Sequence, residues 1–453
     1  MLVIIAISLI VLFGFLLVVI LIPKMNFIEK VGLSFLLGLG LFTFLMFCYS
    51  TLGIRITFVS IYLSLSILDI ILFTVCIILK RRLNFGIFKF INSIKKSSLI
   101  VKIALILLVL IGSISLLFTL YYPIYIWDAL ALYDFRAKVI SEFGYFTQIA
   151  NNYFYFSQYP LFTSLSHVII YLCGGKNPQF IYSFLYISFL FVFYGSLREF
   201  VSRNVSLLCT ILLSSVPVLF EHSTFAYTNL PYVIFITLGT IYMYIWIVKQ
   251  KSIGYLILAG LLTALSTWSR SAEPFWAINV LVIFVYSIFR YKRNLLDPIL
   301  YCLSFFPIKW IWLKAYYGLV GKSVSNSDFI SSEISSIGNS IFGYNIDFNK
   351  LTGVLIYLTK NVIITWYPVL ALFIFFFVIS IFKLTKKISS VFLLFILLHF
   401  ILLIYGTYIY SIGISYWYQI PDSARRMAMF FIPLMVFYIG LSLNGLMKNN
   451  RIQ

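Results

Sequence analysis

The chain consists of long apolar runs separated by short polar stretches. A run of about 20 apolar residues lets an α-helix cross the hydrocarbon core of a bilayer. We predict a membrane-spanning helix in each of thirteen runs that have or approach this length. They are residues 2–22, 31–49, 57–79, 103–121, 178–197, 205–220, 230–248, 253–268, 274–290, 296–316, 351–382, 389–408 and 425–446. The pattern is typical of an all-α polytopic membrane protein, with about 11 to 14 transmembrane helices in a single transmembrane domain.

Two stretches depart from one run per helix. Residues 161–173 are too short to span the bilayer and contain His167, so we expect a membrane-surface or re-entrant helix there. Residues 122–177 then form one large outer loop that carries short helices. Residues 351–382 are longer than one span requires and are interrupted by Lys360-Asn361, so the alternative is that their first half lies flat on the membrane surface.

The distribution of charge predicts the orientation. Lys and Arg are concentrated in residues 23–30, 80–102, 198–204, 249–252, 290–295, 383–388 and the C-terminal tail. Because short basic loops stay in the cytoplasm, we expect a multi-pass plasma membrane protein with loops 122–177 and 317–350 on the outer face, where most of the acids also fall. The first run has no basic residue before it and no small-residue cleavage site after it, so we expect a retained span.

Composition supports the membrane assignment. The chain has 453 residues, of which 62% are hydrophobic, 19% are aromatic and only 10% are charged, and a soluble domain cannot bury so much apolar surface. The net charge of +20 does not indicate nucleic acid binding, because no basic stripe coincides with a soluble module and topology accounts for the charge. Five scattered cysteines and three histidines suggest neither a disulfide framework nor a histidine-rich metal site.

Candidate chemistry is densest just after the fourth apolar run. Trp127 and Asp128 lie there, followed by Asp134, Arg136 and Lys138. The Asp128 carboxylate could accept a proton as a general base, bind a divalent cation, or simply cap a helix. Asp134 and Lys138 have the spacing of a helical ion pair. Arg136 and Lys138 could bind a lipid phosphate or anchor the loop to anionic headgroups.

A second polar cluster lies at an outward turn between two spans. It contains Glu221, His222, Tyr227 and Asn229. Such polar density suits contact with a substrate, although loops are generally polar. His222 alone is more typical of a hydrogen-bonded surface histidine than of a catalytic one.

Two further clusters carry arginines on the outer side. Arg270 and Glu273 could pair with each other, and Arg270 could instead bind a phosphate. Arg425 and Arg426 run against the inward bias of positive charge, which suggests an anionic ligand. The polar loop 317–350 could form a lid, bind an acceptor, or only connect two spans.

These motifs, in this order and on one side of the membrane, resemble the GT-C glycosyltransferase superfamily. The resemblance is closest to relatives of protein O-mannosyltransferases and aminoarabinose transferases. It spans roughly residues 103–440, within a predicted core of residues 103–446, and residues 1–102 are extra N-terminal spans. The motifs are Trp127-Asp128, Tyr159-Pro160-Leu161, Tyr227-Thr228-Asn229-Leu230-Pro231, Ala259-Gly260-Leu261, Trp268-Ser269-Arg270 and Arg425-Arg426 before Pro433.

The resemblance implies an enzyme that transfers a sugar from a polyprenyl-phosphate-linked donor to a glycan, lipid or protein acceptor among the membrane lipids. Asp128 would be the catalytic base or would help to bind Mg or Mn, and Asn229 stands where such families often carry a second acid. The candidate residues fall into three sets. The catalytic set is Asp128 and Asp134; the phosphate-binding set is Arg136, Lys138, Arg270, Arg425 and Arg426; the substrate-contacting set is Trp127, Glu221, His222, Tyr227, Asn229 and Glu273.

Three other functions fit the same sequence. An envelope polysaccharide polymerase or ligase would use outward arginines without needing Asp128. A transporter or lipid flippase usually carries charged residues at the bilayer midplane and internal repeats, whereas here only Asp69 lies within a span and no repeat is visible. A non-catalytic scaffold of an envelope complex would tolerate loss of Asp128.

Overall fold

A computed structural model gives the fold of most of the chain. It describes residues 1–81, 86, 92, 94–146, 159–249, 251–270, 274–290, 296–320, 347–382, 387–413, 425–427 and 429–449. Within these ranges the secondary structure is entirely helical. The sixteen α-helices are α1 Leu2–Leu21, α2 Phe27–Thr51, α3 Phe58–Ile78, α4 Leu99–Tyr121, α5 Phe135–Phe143, α6 Phe162–Leu172, α7 Phe180–Arg198, α8 Arg203–Ser214, α9 Pro217–His222, α10 Asn229–Lys249, α11 Ile253–Ser269, α12 Trp276–Arg290, α13 Leu296–Val320, α14 Phe348–Phe382, α15 Lys387–Gly413 and α16 Ile432–Asn449. A π-helical turn, Ala129–Asp134, precedes α5.

The chain is a helical, multi-pass membrane protein. Of the helices in the described ranges, eight contain a segment long and apolar enough to cross a membrane. These segments are Leu2–Leu21, Phe27–Thr51, Phe58–Ile78, Leu99–Tyr121, Phe180–Arg198, Asn229–Lys249, Leu296–Ala315 and Ser390–Ile409. The other five predicted spans contain apolar helical segments of 10–17 described residues, so length and composition support eight of the thirteen predicted spans within the described part of the chain.

Prolines account for two of these differences. The predicted span 205–220 is two helices, because α8 ends at Ser214 and α9 begins at Pro217. Proline lacks a backbone N–H and is favoured at the first helical position, so it starts a new helix rather than continuing the old one. The predicted span 425–446 is likewise shortened, since α16 begins at Ile432, directly before Pro433.

The two atypical stretches also differ from expectation. The predicted short helix at 161–173 is present as α6, but every residue from Phe162 to Ile170 is buried, so α6 packs inside the protein and does not lie on the membrane surface. The 351–382 run is one continuous 35-residue helix, α14, despite Lys360-Asn361. The Asn361 side chain donates to the Tyr357 carbonyl within that helix at 2.9 Å.

Polar residues between the apolar runs set where the helices begin. The Asn26 side chain accepts the backbone N–H of Glu29 at 2.9 Å and caps α2. Thr57 and Ser60 form a reciprocal capping box at the start of α3. Ser202 caps α8. Each cap satisfies a backbone donor that has no partner within its own helix.

A hydrogen bond and an ion pair show which helix termini lie together at each end of the bundle. At one end, which we call the cavity end, Arg270 after α11 donates to Asn229 at the start of α10. At the opposite end, Lys251 before α11 pairs with Glu199 after α7 at 2.9 Å. Helix α7 therefore ends opposite to where α10 begins, so α8 and α9 together travel the length of the bundle despite the break between them. This agrees with the alternation predicted from charge.

Candidate functional site

One cavity of about 450 Å³ gathers residues from widely separated parts of the chain. Its polar side comes from the π-helical turn, Tyr159, the start of α10, and Arg270. Its apolar side comes mainly from α14, α15 and the segment before α16. The lining residues are Asp128, Leu132, Tyr133, Tyr159, Tyr227, Thr228, Asn229, Arg270, Pro274, Phe275, Tyr357, Leu358, Leu402, Leu403, Gly406, Thr407, Arg426, Met427 and Phe430. The cavity thus combines a carboxylate, two guanidinium groups and an extended apolar wall.

Asp128 lies at the entrance to the π-helical turn and lines the cavity. It has helical backbone angles and its side chain makes no capping hydrogen bond, so the interpretation of Asp128 as a helix cap is wrong. Its carboxylate instead accepts a long hydrogen bond of 3.5 Å from the Tyr227 hydroxyl. Because π-helical turns are rare and frequently occur at functional sites, this geometry favours a functional role for Asp128.

Arg270 lies where α11 ends, with its side chain on the cavity wall. Its backbone N–H donates to Ser266 and closes the last turn of the helix at 3.0 Å. One guanidinium nitrogen donates to the Asn229 side-chain oxygen at 2.6 Å, and the group lies 5.9 Å from the centre of the Tyr159 ring. Asn229 is a neutral acceptor, so this hydrogen bond does not itself neutralise the positive charge of Arg270.

The two adjacent arginines before α16 differ in environment. Arg426 lines the cavity, whereas Arg425 is exposed and does not. His222 is 3% exposed and packs against the Tyr227 ring with centroids 6.0 Å apart. Burial, followed by the charges of Arg426 and Arg270, lowers the His222 pKa to about 3, so this histidine is neutral at physiological pH. It is therefore a buried residue behind the cavity wall and not a surface histidine.

Asp134 does not line the cavity. Its carboxylate is 2% exposed and accepts hydrogen bonds from His167 Nδ1 at 3.1 Å and from the Tyr171 hydroxyl. Lys138 Nζ lies 2.8 Å away, which is the ion pair that the i,i+4 spacing predicts. The second His167 nitrogen lies 3.0 Å from the Tyr182 hydroxyl. This buried network joins the π-helical turn to α6 and favours a structural role for Asp134 over the predicted catalytic one.

Arg136 and Lys138 are also away from the cavity. Arg136 is fully buried, donates to the Tyr159 carbonyl at 3.0 Å and lies 5.4 Å from the centre of the Tyr133 ring. It therefore holds two lining residues from behind. Lys138 pairs with Asp134. The expected phosphate contacts of Arg136 and Lys138 are not supported by these positions.

The remaining predicted contacts separate clearly. Tyr227 and Asn229 line the cavity. Trp127 has 68% of its side chain exposed, and Glu221 is also exposed, so neither lines it. Glu273 lies outside the described residues, as does most of the predicted loop 317–350 (residues 321–346).

Two lining tyrosines, Tyr133 and Tyr159, and two lining helices, α14 and α15, have no role predicted from the sequence. The Tyr133 hydroxyl lies 3.3 Å from the Thr228 hydroxyl, and the Tyr133 ring makes an edge contact with Tyr159 at 5.8 Å between centroids. Burial raises the pKa of Tyr133, which keeps the hydroxyl protonated. Because the chain has 33 tyrosines, composition gives no signal for these two. The apolar lining of α14 and α15 is equally indistinguishable from lipid-facing sequence.

The cavity offers few side chains that could bind a metal cation. Asp128 is the single carboxylate among the described lining residues, and the described part of the chain contains no cluster of three His, Cys, Asp or Glu residues. Mg²⁺ usually takes one or two carboxylates together with substrate phosphate oxygens. These residues therefore do not fit a cation site built by the protein itself.

Electrostatically, the described polar wall is suited to an anion placed beside a proton acceptor. Arg270 and Arg426 can stabilise negative charge, while Asp128 can accept a proton. Comparison of this chain with protein-family models, curated proteins and solved structures finds no match.

Proposed function

We propose that the protein is a membrane glycosyltransferase that takes its sugar from a polyprenyl-phosphate-linked donor. The observation that carries this proposal is the cavity itself, in which Asp128, Arg270 and Arg426 share one space with an apolar wall. A lipid-linked sugar phosphate has three parts that these groups would serve. Asp128 would act near the reacting carbon, the arginines would bind the anionic leaving group, and the apolar wall would hold the lipid chain. The similarity to GT-C enzymes in the order of the motifs agrees with this assignment.

In the proposed reaction, an acceptor hydroxyl attacks the anomeric carbon from the face opposite the phosphate. The new carbon–oxygen bond forms as the bond to the phosphate oxygen breaks, and Asp128 receives the hydroxyl proton. The leaving polyprenyl phosphate gains negative charge, which Arg270 and Arg426 stabilise in a partly water-excluded site. The sugar is transferred with inversion, and no step requires a metal.

The apolar wall accounts for the lipid part of the donor. Leu402, Leu403 and Gly406 lie on one stripe of α15 and face the cavity together with Tyr357 and Leu358 of α14. A polyprenyl chain would pack here next to the arginines. The distribution of basic residues in the sequence favours the outer face of the plasma membrane for this end of the bundle.

The first experiment is mass spectrometry of lipids that co-purify with the protein. Wild type is expected to retain a polyprenyl phosphate or its glycosylated form, and Arg270→Ala and Arg426→Ala are expected to lose it. Arg425→Ala is the matched control, because Arg425 is the exposed neighbour of Arg426. Retention of only bulk phospholipid by wild type would overturn the proposal and favour the transporter.

The role of Asp128 is tested separately with the isosteric variant Asp128→Asn. We expect it to retain the donor lipid, because the arginines are intact, and to lose sugar transfer in reconstituted vesicles by a factor of about 10² or more. Transfer at the wild-type rate, with the arginine variants still inactive, would instead favour the polysaccharide polymerase or ligase.

A further inference from the structure

Helix α2 contacts two of the segments that position the polar side of the cavity, although α2 does not itself line the cavity. No residue of α1–α3 lines the cavity. Nevertheless, α2 and the turn after it contact the segment that follows Asp128 in the chain, and α2 also contacts the helix that ends at Arg270. The residues that make these two sets of contacts identify a role for the extra N-terminal helices.

The first contact joins the turn after α2 to the end of α5. Gly144 ends α5 in the left-handed conformation, with φ at 79°, and its carbonyl accepts the Ile56 N–H at 2.8 Å. The Phe146 N–H donates to the Ser50 hydroxyl at 3.1 Å, and the Tyr145 hydroxyl donates to the Gly53 carbonyl at 3.3 Å. Three hydrogen bonds therefore hold residues 144–146, and α5 connects these residues directly to the π-helical turn.

The second contact joins α2 to α11 through aromatic rings. Trp268 is fully buried and its indole N–H donates to the Thr43 hydroxyl at 3.1 Å. The Phe47 ring lies 5.1 Å from Trp268 and is stacked on Phe146, also at 5.1 Å between centroids. One side chain, Phe47, thus bridges the segment after Asp128 and the last turn of α11.

We propose that α2 is a positioning element that fixes the spacing between Asp128 and Arg270 from outside the cavity. The two functional groups are about 140 residues apart in the chain. Phe47 contacts Phe146, which follows α5, and Trp268, which lies two residues before Arg270. The bridging contacts are buried and aromatic, so they resist changes in angle as well as in distance. The consequence for catalysis rests on the proposed function, whereas the positioning itself does not.

Hydrogen–deuterium exchange of the whole protein in nanodiscs tests the positioning directly. Phe47→Leu keeps an apolar side chain but removes the ring contacts with Phe146 and Trp268, together with those to Phe44 and Trp312. We expect exchange to become about tenfold faster in residues 135–146 and also in the last turn of α11, the factor that corresponds to an aromatic contact worth about 1.4 kcal/mol. Phe42→Leu is the matched control, because Phe42 is fully buried in the same helix but makes no ring contact within the described residues.

Unchanged exchange in both segments of folded Phe47→Leu, or an equal increase in Phe42→Leu, would overturn the inference. Retention of polyprenyl phosphate is measured on the same samples, and we expect it to fall in Phe47→Leu but not in Phe42→Leu at equal melting temperature. If exchange is faster in both segments of Phe47→Leu but wild type retains no polyprenyl phosphate, α2 remains the positioning element and only the proposed function is refuted. Unchanged retention despite faster exchange would refute the link between α2 and donor binding.

Discussion

Asp134→Asn separates a structural from a catalytic role for the most highly connected carboxylate near the site. In the folded protein the Asp134 carboxylate accepts from His167 and Tyr171 and pairs with Lys138. An asparagine has nearly the same shape but no charge, and its amide nitrogen cannot accept a hydrogen bond. The substitution therefore removes the ion pair and at least one of the accepted hydrogen bonds while leaving the cavity lining intact.

The pKa of Asp134 gives the size of the effect. Burial alone would raise this pKa, but the hydrogen bond and charge interaction with His167 and the hydrogen bonds from Lys138 and Tyr171 outweigh burial and lower it to about 2, below the ordinary 3.8. Each pKa unit corresponds to about 1.4 kcal/mol, so ionised Asp134 stabilises the folded state by about 2 to 3 kcal/mol at neutral pH. Because the pKa is depressed on folding, this stabilisation is complete above pH 3.8 and is lost as the pH falls through 2.

Thermal melting of the purified protein as a function of pH measures both quantities. We expect Asp134→Asn to melt several degrees below wild type at pH 7 and to lose the part of the acid dependence that lies between about pH 4 and pH 2. Glu142→Gln is the control, because Glu142 lies on α5, which directly follows Asp134, but is exposed. It should melt like wild type at neutral pH.

Donor retention and sugar transfer, both measured well below the melting temperature, complete the experiment. A structural Asp134 predicts that folded Asp134→Asn still retains the donor lipid and transfers sugar at a reduced rate. A variant that melts like wild type at pH 7 but has lost all transfer would contradict the structural interpretation and restore the catalytic one.

Three further substitutions test the cavity and its support. A Cβ at Gly406 or at Gly353 would meet no atom within 4 Å, but only Gly406 lines the cavity. Gly406→Leu should therefore lose polyprenyl phosphate in lipid analysis, and its control Gly353→Leu should retain it. Gly144→Ala and Gly53→Ala both place alanine at positive φ, at a cost of about 1 to 2 kcal/mol. A Cβ at Gly144 would also lie 2.4 Å from the Arg55 side chain, so Gly144→Ala should melt at a lower temperature than Gly53→Ala. Tyr227→Phe removes a long hydrogen bond to Asp128 and should slow transfer by less than about tenfold in the vesicle assay.

Several features of the fold and of the candidate site could be predicted from local sequence. The apolar runs predicted most helices, because length and hydropathy are properties of contiguous residues. The charge pattern placed Asp128, Asn229, Arg270 and Arg426 at the same end of the bundle, where the cavity brings them together. Sidedness was enough for this, since residues at one end of a helical bundle are near one another whatever the packing angles.

Contacts between side chains that are far apart in the sequence could not be predicted. The i,i+4 spacing predicted the Asp134–Lys138 pair, yet the stronger constraint on Asp134 is His167, which belongs to another helix. Nothing in the local pattern distinguishes Phe47 from the other 46 phenylalanines of the chain, although it is the one that stacks on Phe146. Such contacts depend on how the helices cross, and many apolar sequences are compatible with one crossing geometry.

The proposed anionic ligand would explain why arginines occur where the distribution of basic residues would not place them. Among the described lining residues, Arg270 and Arg426 carry two positive charges and Asp128 one negative charge. The Asn229 oxygen that accepts from Arg270 is neutral, so this hydrogen bond does not change the excess of one positive charge among these three side chains. The apolar wall lowers the local dielectric and so strengthens the attraction of an anion. A phosphodiester carries one negative charge, which matches the excess, and its lipid chain matches the wall. Under the proposed function, a ligand of this kind, rather than topology, would account for the arginines at this end of the bundle.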